Sequence, residues 1–219
     1  MKYYPVNLNV QNRKCLVVGG GSVGTRKVQT LLECGAAVTV VSRKMSEDLK
    51  KFSAEAMLRL EERSYRSSDL ENMFLVICTT SDKKLNLRIN SDAEKRNMLC
   101  NVADVPEACN FILPAIVKRG DLIIAISTSG TSPAFAKKLR KDLEKQFGRE
   151  YAVFLKLMGA IRKRLLAEDH DPEAHRHLFE KLIQQGVLDM IRENKTATIN
   201  NLLLKTLGNG YECEDLLKD

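Results

Sequence analysis

The sequence predicts an α/β protein in which helices cover both faces of a parallel sheet. Three observations support this prediction. Strand-length apolar segments alternate with helix-length amphipathic segments over the first half of the 219-residue chain. One of these segments, Phe74–Thr79, is continuously apolar, as expected of a parallel strand buried on both faces. A glycine-rich turn also joins the first strand to the first helix. Together they predict a doubly wound sheet of about five strands.

The glycine-rich turn lies in the segment KCLVVGGGSVGTRK, residues 14–27. Gly19, Gly21 and Gly24 stand at G-x-G-x-x-G spacing between a predicted strand and a predicted helix. In such a turn the first glycine permits a tight reversal, the second lets a pyrophosphate approach the backbone, and the third allows close helix–strand packing. The helix N-terminus offers N–H groups to the phosphates. The pattern therefore predicts a Rossmann-type, dinucleotide-binding domain.

The alternation of strands and helices ends after the first half of the chain. Two apolar runs, Phe111–Val117 and Leu122–Ser127, are joined by a short polar link and predict an antiparallel hairpin. Ser132 and Pro133 then mark a helix start, and only helical periodicity follows residue 150. We predict three parts: a dinucleotide-binding domain (1–112), a hairpin–helix connector (113–149) and a small all-helical C-terminal domain (150–219).

Composition restricts the location and partners of the protein. The N-terminus has no apolar signal region, and no apolar run approaches the roughly 20 residues that cross a bilayer. The six cysteines are spread singly, which favours buried thiols in a reducing compartment. We therefore expect a cytoplasmic protein without membrane segments. The net charge of +7 suits nucleic acid, an anionic small molecule or merely a soluble surface, and composition does not choose among them.

Candidate cofactor residues lie where the predicted parallel strands end, because dinucleotides bind at that edge of the sheet. The second strand ends in Arg43 and Lys44, where NAD-binding forms usually carry an acidic residue. These two cations favour a 2′-phosphate, and hence NADP, or are solvated surface residues. The other strand ends provide Thr79, Thr80, Asn101 and Val102.

Asp104 is the candidate catalytic residue. It directly follows the fifth predicted strand and precedes Val105-Pro106, which disfavours a helix start. A carboxylate at this rim would face the nicotinamide side of the crevice and could accept a proton during an oxidation. The alternative is an aspartate that caps the loop.

A second polar turn, STSGTSP, covers residues 127–133 and opens a basic helix. Its N–H groups and hydroxyls suit an anion, and the alternative is an ordinary N-capped helix with a solvated basic face. The candidate anion-binding residues are Ser127, Thr128, Ser129, Gly130, Thr131, Ser132 and Lys137. His170, His175 and His177 lack the spacing of a zinc site, so we expect surface histidines and no resident metal.

Four motifs in order, VVGGGSVGTRK, TTSD, CNVADVPEACNFILPA and STSGTSP, resemble the dehydrogenase/chelatase module of siroheme synthase. The resemblance implies NAD-dependent oxidation of precorrin-2 to sirohydrochlorin, with Asp104 as the key aspartate. It also implies cofactor contacts from Ser22, Val23, Arg43 and Lys44, so that NAD replaces the NADP inferred from residues. It further implies a homodimer formed through the connector.

The resemblance leaves open whether this chain also inserts Fe²⁺ as a ferrochelatase, a lyase activity that some members have. The resemblance also accounts for the positive net charge, since Lys137, Lys138 and Arg140 would attract an anionic tetrapyrrole. The competing hypothesis is an NAD(H)-sensing regulator whose basic tail, with Arg162, Lys163 and Arg164, touches DNA or a partner. Because no recognition helix is evident, we expect no nucleic-acid partner.

Overall fold

A computed structural model of the protein describes residues 2–54, 58–103, 105–167 and 172–218. Its contacts divide the chain into two compact units, residues 1–113 and 114–219. Each unit has its own hydrophobic core. Among the described residues, no helix combines the length and the apolarity needed to cross a bilayer.

The first unit is a doubly wound α/β domain, as the sequence predicts. Its five strands are all parallel and lie in the order β3-β2-β1-β4-β5. The chain order therefore reverses between β1 and β4, which is the switch point where ligands bind in open α/β sheets. The elements are β1 (Lys14–Gly20), α1 (Ser22–Glu33), β2 (Ala37–Met45), α2 (Glu47–Ala54), β3 (Leu58–Glu62), β4 (Leu75–Cys78), α3 (Lys83–Glu94) and β5 (Leu99–Val102), with 3₁₀ turns at Ser67–Leu70 and Pro106–Ala108.

Side chains that alternate along the central strands build a core on each face of this sheet. On one face Val17 and Val40 pack with Val28 of α1 and Leu49 of α2. On the other face Leu16, Val76 and Cys100 pack with Ile89 and Ala93 of α3. Because β1 and β4 are buried on both faces, their sequences read as continuous apolar runs.

The second unit starts with a hairpin and continues in helices. Strands β6 (Ala115–Arg119) and β7 (Leu122–Ile126) pair antiparallel, as predicted. The helices are α4 (Pro133–Gln146), α5 (Glu150–Ala167), α6 (Pro172–Gln184), α7 (Val187–Arg192), α8 (Thr196–Leu207) and α9 (Cys213–Leu216). Leu157 and Ile161 of α5 lie at the centre of the helical core. The side chain of Arg119 joins hairpin to helix, since it donates to the carbonyls of Glu144 and Phe147 at the end of α4.

One expectation about an extended segment needs correction. The run that starts at Phe111 becomes a strand only at Ala115, because Pro114 has no N–H for a ladder and the Phe111 carbonyl accepts from the Asn101 side chain instead. The segment from residue 2 to residue 13 contains no strand and turns against the end of α1, where Asn12 N donates to Gly35 O at 2.8 Å. The short helix α9 was not predicted.

One prediction concerns the ion pair that closes the segment after β3. Arg63 donates to both carboxylate oxygens of Asp69, at 2.9 and 2.7 Å, and the Asp69 side chain is 9% exposed. Burial alone would raise the pKa of Asp69, but the bonds from Arg63 and from the Arg66 backbone outweigh it and hold this pKa below 3.8. A carboxyl group with a lowered pKa stabilises the folded state above its unfolded pKa, and that contribution is lost on acidification.

We therefore expect Asp69→Asn to lower the free energy of unfolding at pH 7 by about 1–3 kcal/mol. The gap between wild type and variant should narrow as the pH falls below 3.8. Urea unfolding at pH 7 and at successively lower pH measures both effects. A gap that stays constant with pH would contradict this assignment.

Candidate functional site

The glycine turn lies at the switch point of the sheet, between the end of β1 and the start of α1. Gly19 has a φ of +120°, and a Cβ there would lie 2.6 Å from Thr79 Oγ1, just beyond β4. Gly24 is buried, and a Cβ there would overlap the carbonyl oxygen of Gly19. The first and third glycines therefore let α1 and the end of β4 approach the same short stretch of backbone.

The middle glycine has a different environment. Nothing lies within 4 Å of a Cβ built on Gly21, which is exposed and serves as the N-cap of α1. No side chain caps this helix, and its first turn carries no acidic residue. By contrast, Ser46 Oγ accepts from Leu49 N in α2, and Asp82 Oδ1 accepts from Leu85 N in α3. Among these three helices, α1 alone leaves its first N–H groups to a ligand, which suits a phosphate.

Of the two threonines after β4, Thr79 bonds to the glycine turn and Thr80 bonds to α3. Thr79 Oγ1 lies 3.2 Å from the carbonyl oxygens of both Val18 and Gly19, and Thr79 N donates to Val18 O at 2.8 Å. Thr80 Oγ1 lies 2.7 Å from Asn86 Oδ1, and the buried amide of Asn86 donates to Thr80 O. Sequence reasoning missed Asn86, because a polar residue within a helix gives no sign of reaching back to a strand end.

At the end of β5 both candidate side chains are buried. Asn101 is 8% exposed and its side chain donates to Phe111 O, while the Val102 side chain belongs to the core. Ala103 N donates to Cys78 O at 2.8 Å. Asp104 lies outside the described residues, so its catalytic role stays a prediction.

At the end of β2, Arg43 and Lys44 are exposed. Ser42 Oγ donates to Lys44 O at 2.8 Å, and this carbonyl passes so close to Gly20 that a Cβ on Gly20 would overlap it. Sequence reasoning also missed this requirement for Gly20.

Glu62, at the end of β3, stands in register beside Ser42. Burial and the neighbouring Arg26 lower the pKa of Lys27 in α1.

The second polar turn lies in the other unit and is internally hydrogen-bonded. Ser127 Oγ accepts from Ser129 N, Thr128 Oγ1 from Ser132 N, and Ser132 Oγ from Phe135 N at the start of α4. The predicted N-cap at Ser132 and the first-turn Pro133 are confirmed. Each of these three hydroxyls accepts one N–H and still has its own hydrogen to donate.

The rest of this turn and the lysines at the start of the helix behind it face solvent. Ser129 and Gly130 adopt positive φ values of 52° and 84°, and Thr131 N donates to Thr128 O. Lys137 and Lys138 of α4 are exposed, whereas Arg140 pairs with Glu144 at 3.2 Å. The turn and Lys137 are thus available to an anion, and their role stays a prediction.

One expectation about the histidines is wrong. His175 is 6% exposed, because it shares a face of α6 with the buried Leu182, two turns further along. His177 is exposed, and His170 lies outside the described residues. Within the described parts of the chain, no three His, Cys, Asp or Glu side chains converge as metal ligands would.

The strand order, the glycine turn and the uncapped helix at the switch point define a dinucleotide-binding protein. Residues 6–115, half of the chain, match the family described as putative NAD(P)-binding, and the chain belongs to this family. Its cofactor is therefore a nicotinamide dinucleotide. Residues 119–146 match a second family, described as the central region of sirohaem biosynthesis proteins.

Known proteins similar to this chain include siroheme synthases and a precorrin-2 dehydrogenase. It is 33% identical to a siroheme synthase of Nitrosococcus oceani over 96% of this chain and 45% of the relative. It is 38% identical to siroheme synthase 1 of Cronobacter sakazakii over 93% of this chain and 43% of the relative. The chain thus spans less than half the length of these curated relatives. A solved structure of a precorrin-2 dehydrogenase, SirC, superposes with a TM-score of 0.73 at 28% identity, covering 87% of this chain and all of that one.

The uncapped start of α1 yields a prediction in which one substitution weakens NAD binding without lowering stability. A serine at position 21 would supply the missing N-cap, so Gly21→Ser should leave the free energy of unfolding unchanged or raise it by a few tenths of a kcal/mol. The same hydroxyl would accept from the N–H groups that we assign to the phosphates and would raise the Kd for NAD by about tenfold or more.

Isothermal titration with NAD and urea unfolding measure the two effects. Gly24→Ala is the matched control, because its Cβ would overlap Gly19 O and should lower stability. An unchanged Kd in Gly21→Ser would contradict the assignment of the α1 N-terminus to the cofactor.

Proposed function

We propose that this protein oxidises precorrin-2 to sirohydrochlorin with NAD, a step of siroheme biosynthesis. The observation that carries this proposal is the superposition of a whole precorrin-2 dehydrogenase on 87% of this chain. The match of residues 119–146 to a sirohaem biosynthesis family supports it further, since this segment includes Lys137 and the rest of the basic α4. The longer siroheme synthases support the pathway but not the whole of their activity.

When bound, NAD⁺ would supply the oxidant, since the macrocycle gives up a hydride and a proton and the products are NADH and one released proton. The N–H groups at the start of α1 would hold the pyrophosphate, and Gly21 would let it approach. Around them we assign cofactor contacts to Ser22, Val23, Arg43, Lys44, Thr79, Thr80, Asn101 and Val102. Asp104 would accept the proton that leaves the substrate.

The substrate class fits the charge of the second unit. A tetrapyrrole with many carboxylates needs hydrogen-bond donors and cations at the protein surface. The turn at residues 127–132 offers hydroxyl hydrogens, and α4 offers exposed Lys137 and Lys138. We propose that these groups bind the carboxylates, and that the chain divides functionally into residues 1–112, 113–149 and 150–219.

The hairpin supports a homodimer. Ile116 of β6 pairs with Ala125 of β7, and Lys118 pairs with Ile123, so these four side chains share one face. All four are exposed, with Ile116 at 41% and Ile123 at 51%. On the opposite face Val117 is buried, and α4 contacts both strands. We propose that the exposed face packs on a second copy of the chain.

The compartment and the metal step are further proposals. All six cysteines are free, which suits a reducing cytoplasm, and we place the reaction there. Fe²⁺ would be a second substrate if the chain also inserts metal into sirohydrochlorin. Fe²⁺ added to sirohydrochlorin under anaerobic conditions tests that step by absorbance.

Anaerobic incubation with precorrin-2 and NAD tests the main proposal. We expect stoichiometric NADH and the absorbance change to sirohydrochlorin. In Asp104→Ala the kcat should fall by about 100-fold or more, because loss of a positioned base typically costs that much, with the Kd for NAD unchanged. A wild-type protein that binds NAD but forms no NADH would favour the regulator hypothesis. A normal rate in Asp104→Ala would rule out the catalytic role of Asp104 and leave the proposed function intact.

Neutralising the cations of α4 tests how the substrate is attracted. We expect the triple variant Lys137→Gln, Lys138→Gln, Arg140→Gln to raise the KM for precorrin-2 about tenfold, because opposite charges at a surface contribute both affinity and encounter rate. The Kd for NAD should not change.

The matched control removes the same charge elsewhere, as Arg162→Gln, Lys163→Gln and Lys205→Gln, all exposed residues of α5 and α8. Steady-state kinetics at two salt concentrations measure both variants. Equal KM values in the two triples would exclude a specific role for α4.

A further inference from the structure

The outer edge of β5 is closed by side chains instead of a further strand. β5 ends the sheet, so the N–H and C=O groups on its outer side have no strand partner. Such an edge is an open template for another chain unless it is covered. Here the segment of residues 109–111 returns along β5 and covers it.

Asn110 closes the first half of this edge with three hydrogen bonds. Its side-chain Oδ1 accepts from Cys100 N at 2.8 Å, and its Nδ2 donates to Met98 O at 2.8 Å. Its backbone N donates to Cys100 O at 3.2 Å. The side-chain amide thus supplies a donor and an acceptor where a paired strand would have done so.

Cys109 closes the second half of the edge. Its Sγ accepts from Val102 N at 3.1 Å and lies 3.3 Å from the carbonyl oxygens of Val102 and Val105. The thiol has one hydrogen and donates it to one carbonyl at a time. Burial raises the pKa of Cys109, so this hydrogen stays on sulfur near neutral pH.

Further hydrogen bonds, together with those of Cys109, hold the described ends of the loop of residues 103–108. At the first end, Ala103 N donates to Cys78 O at 2.8 Å. Near the other end, Ala108 N donates to Val105 O at 3.1 Å, and Cys109 joins Val105 back to Val102. The sequence of this loop includes Asp104, which itself lies outside the described residues.

We propose that Cys109 and Asn110 are positioning residues for the oxidation, because they fix the loop that carries Asp104 at the end of β5. This inference rests on the proposed function for its catalytic part. Neither side chain needs to touch substrate or cofactor. Their contribution is to hold the backbone of Cys100, Val102 and Val105, which lie on either side of Asp104 in the sequence.

The test compares variants of Cys109 with a matched loss of a thiol. In Cys109→Ala and Asn110→Ala, kcat should fall about 10–100-fold, because small misplacements of a reacting group cost this much. Cys109→Ser keeps a donor and an acceptor and should retain kcat within about fivefold. In Asn110→Ala the Kd for NAD should change less than about twofold, because Asn110 bonds to Met98 and Cys100 and not to the residues assigned to the cofactor.

Cys15→Ala is the control. Cys15 is a fully buried thiol in β1 of the same unit, and the described residues give it no hydrogen bond. We expect lower stability in this variant with kcat unchanged. A kcat that falls equally in Cys15→Ala and Cys109→Ala, or is not restored in Cys109→Ser, would overturn the positioning role.

Hydrogen exchange gives a measurement that does not depend on activity. In Cys109→Ala without NAD, the peptide spanning residues 99–108 should exchange about tenfold faster, since one hydrogen bond is worth about that factor. Unchanged exchange would overturn the proposal. Faster exchange in a protein that shows no oxidation of precorrin-2 would support the anchoring and would refute the proposed function instead.

Discussion

The close approach of three backbone segments at the switch point is the constraint on which the rest of the first unit depends. The end of β1, the start of α1 and the residue after β4 meet where Gly19, Gly24 and Thr79 lie in contact. No side chain larger than hydrogen fits at either glycine. This approach brings the N-terminus of α1 to the carboxyl edge of the central strands, where a dinucleotide binds. The packing of the fold and the geometry of the site therefore depend on the same close approach of backbone segments.

The capping of the helices differs within the same unit, and one N-terminus has no side-chain cap. Ser46 caps α2 and Asp82 caps α3, so those helices satisfy part of their own first turn. Helix α1 has Gly21 at that position, so no side chain accepts from its first N–H groups. An uncapped N-terminus costs stability unless something else binds there. A phosphate is the group best suited to restore it, since it brings both acceptor oxygens and negative charge.

Sequence reasoning predicted much of this arrangement, because its signals are local. Glycine spacing, apolar runs and the Ser-Pro helix start each lie within a few residues, and they located the parallel strands, the hairpin and α4. The requirement for Gly20 was missed because it comes from the Lys44 carbonyl, on another strand.

Asn86 and His175 were missed for a related reason. Each is a polar residue in a helix, and only tertiary packing decides whether such a residue faces water or a neighbouring element. Similarly, Cys109 read as an ordinary buried thiol. Its role at the edge of β5 depends on a chain reversal that composition does not reveal.

The two candidate anion sites are built in opposite ways, and the difference matches what each would bind. At α1 the backbone N–H groups remain open and no side chain intervenes, which suits a pyrophosphate held close to the main chain. At α4 the Ser132 hydroxyl already occupies an N–H of the first turn, so the turn presents hydroxyl hydrogens and nearby lysines instead. Side-chain donors reach further and adapt more than backbone does. They suit carboxylates carried on flexible arms around a large ring, whereas a backbone cradle suits a compact phosphate of fixed shape.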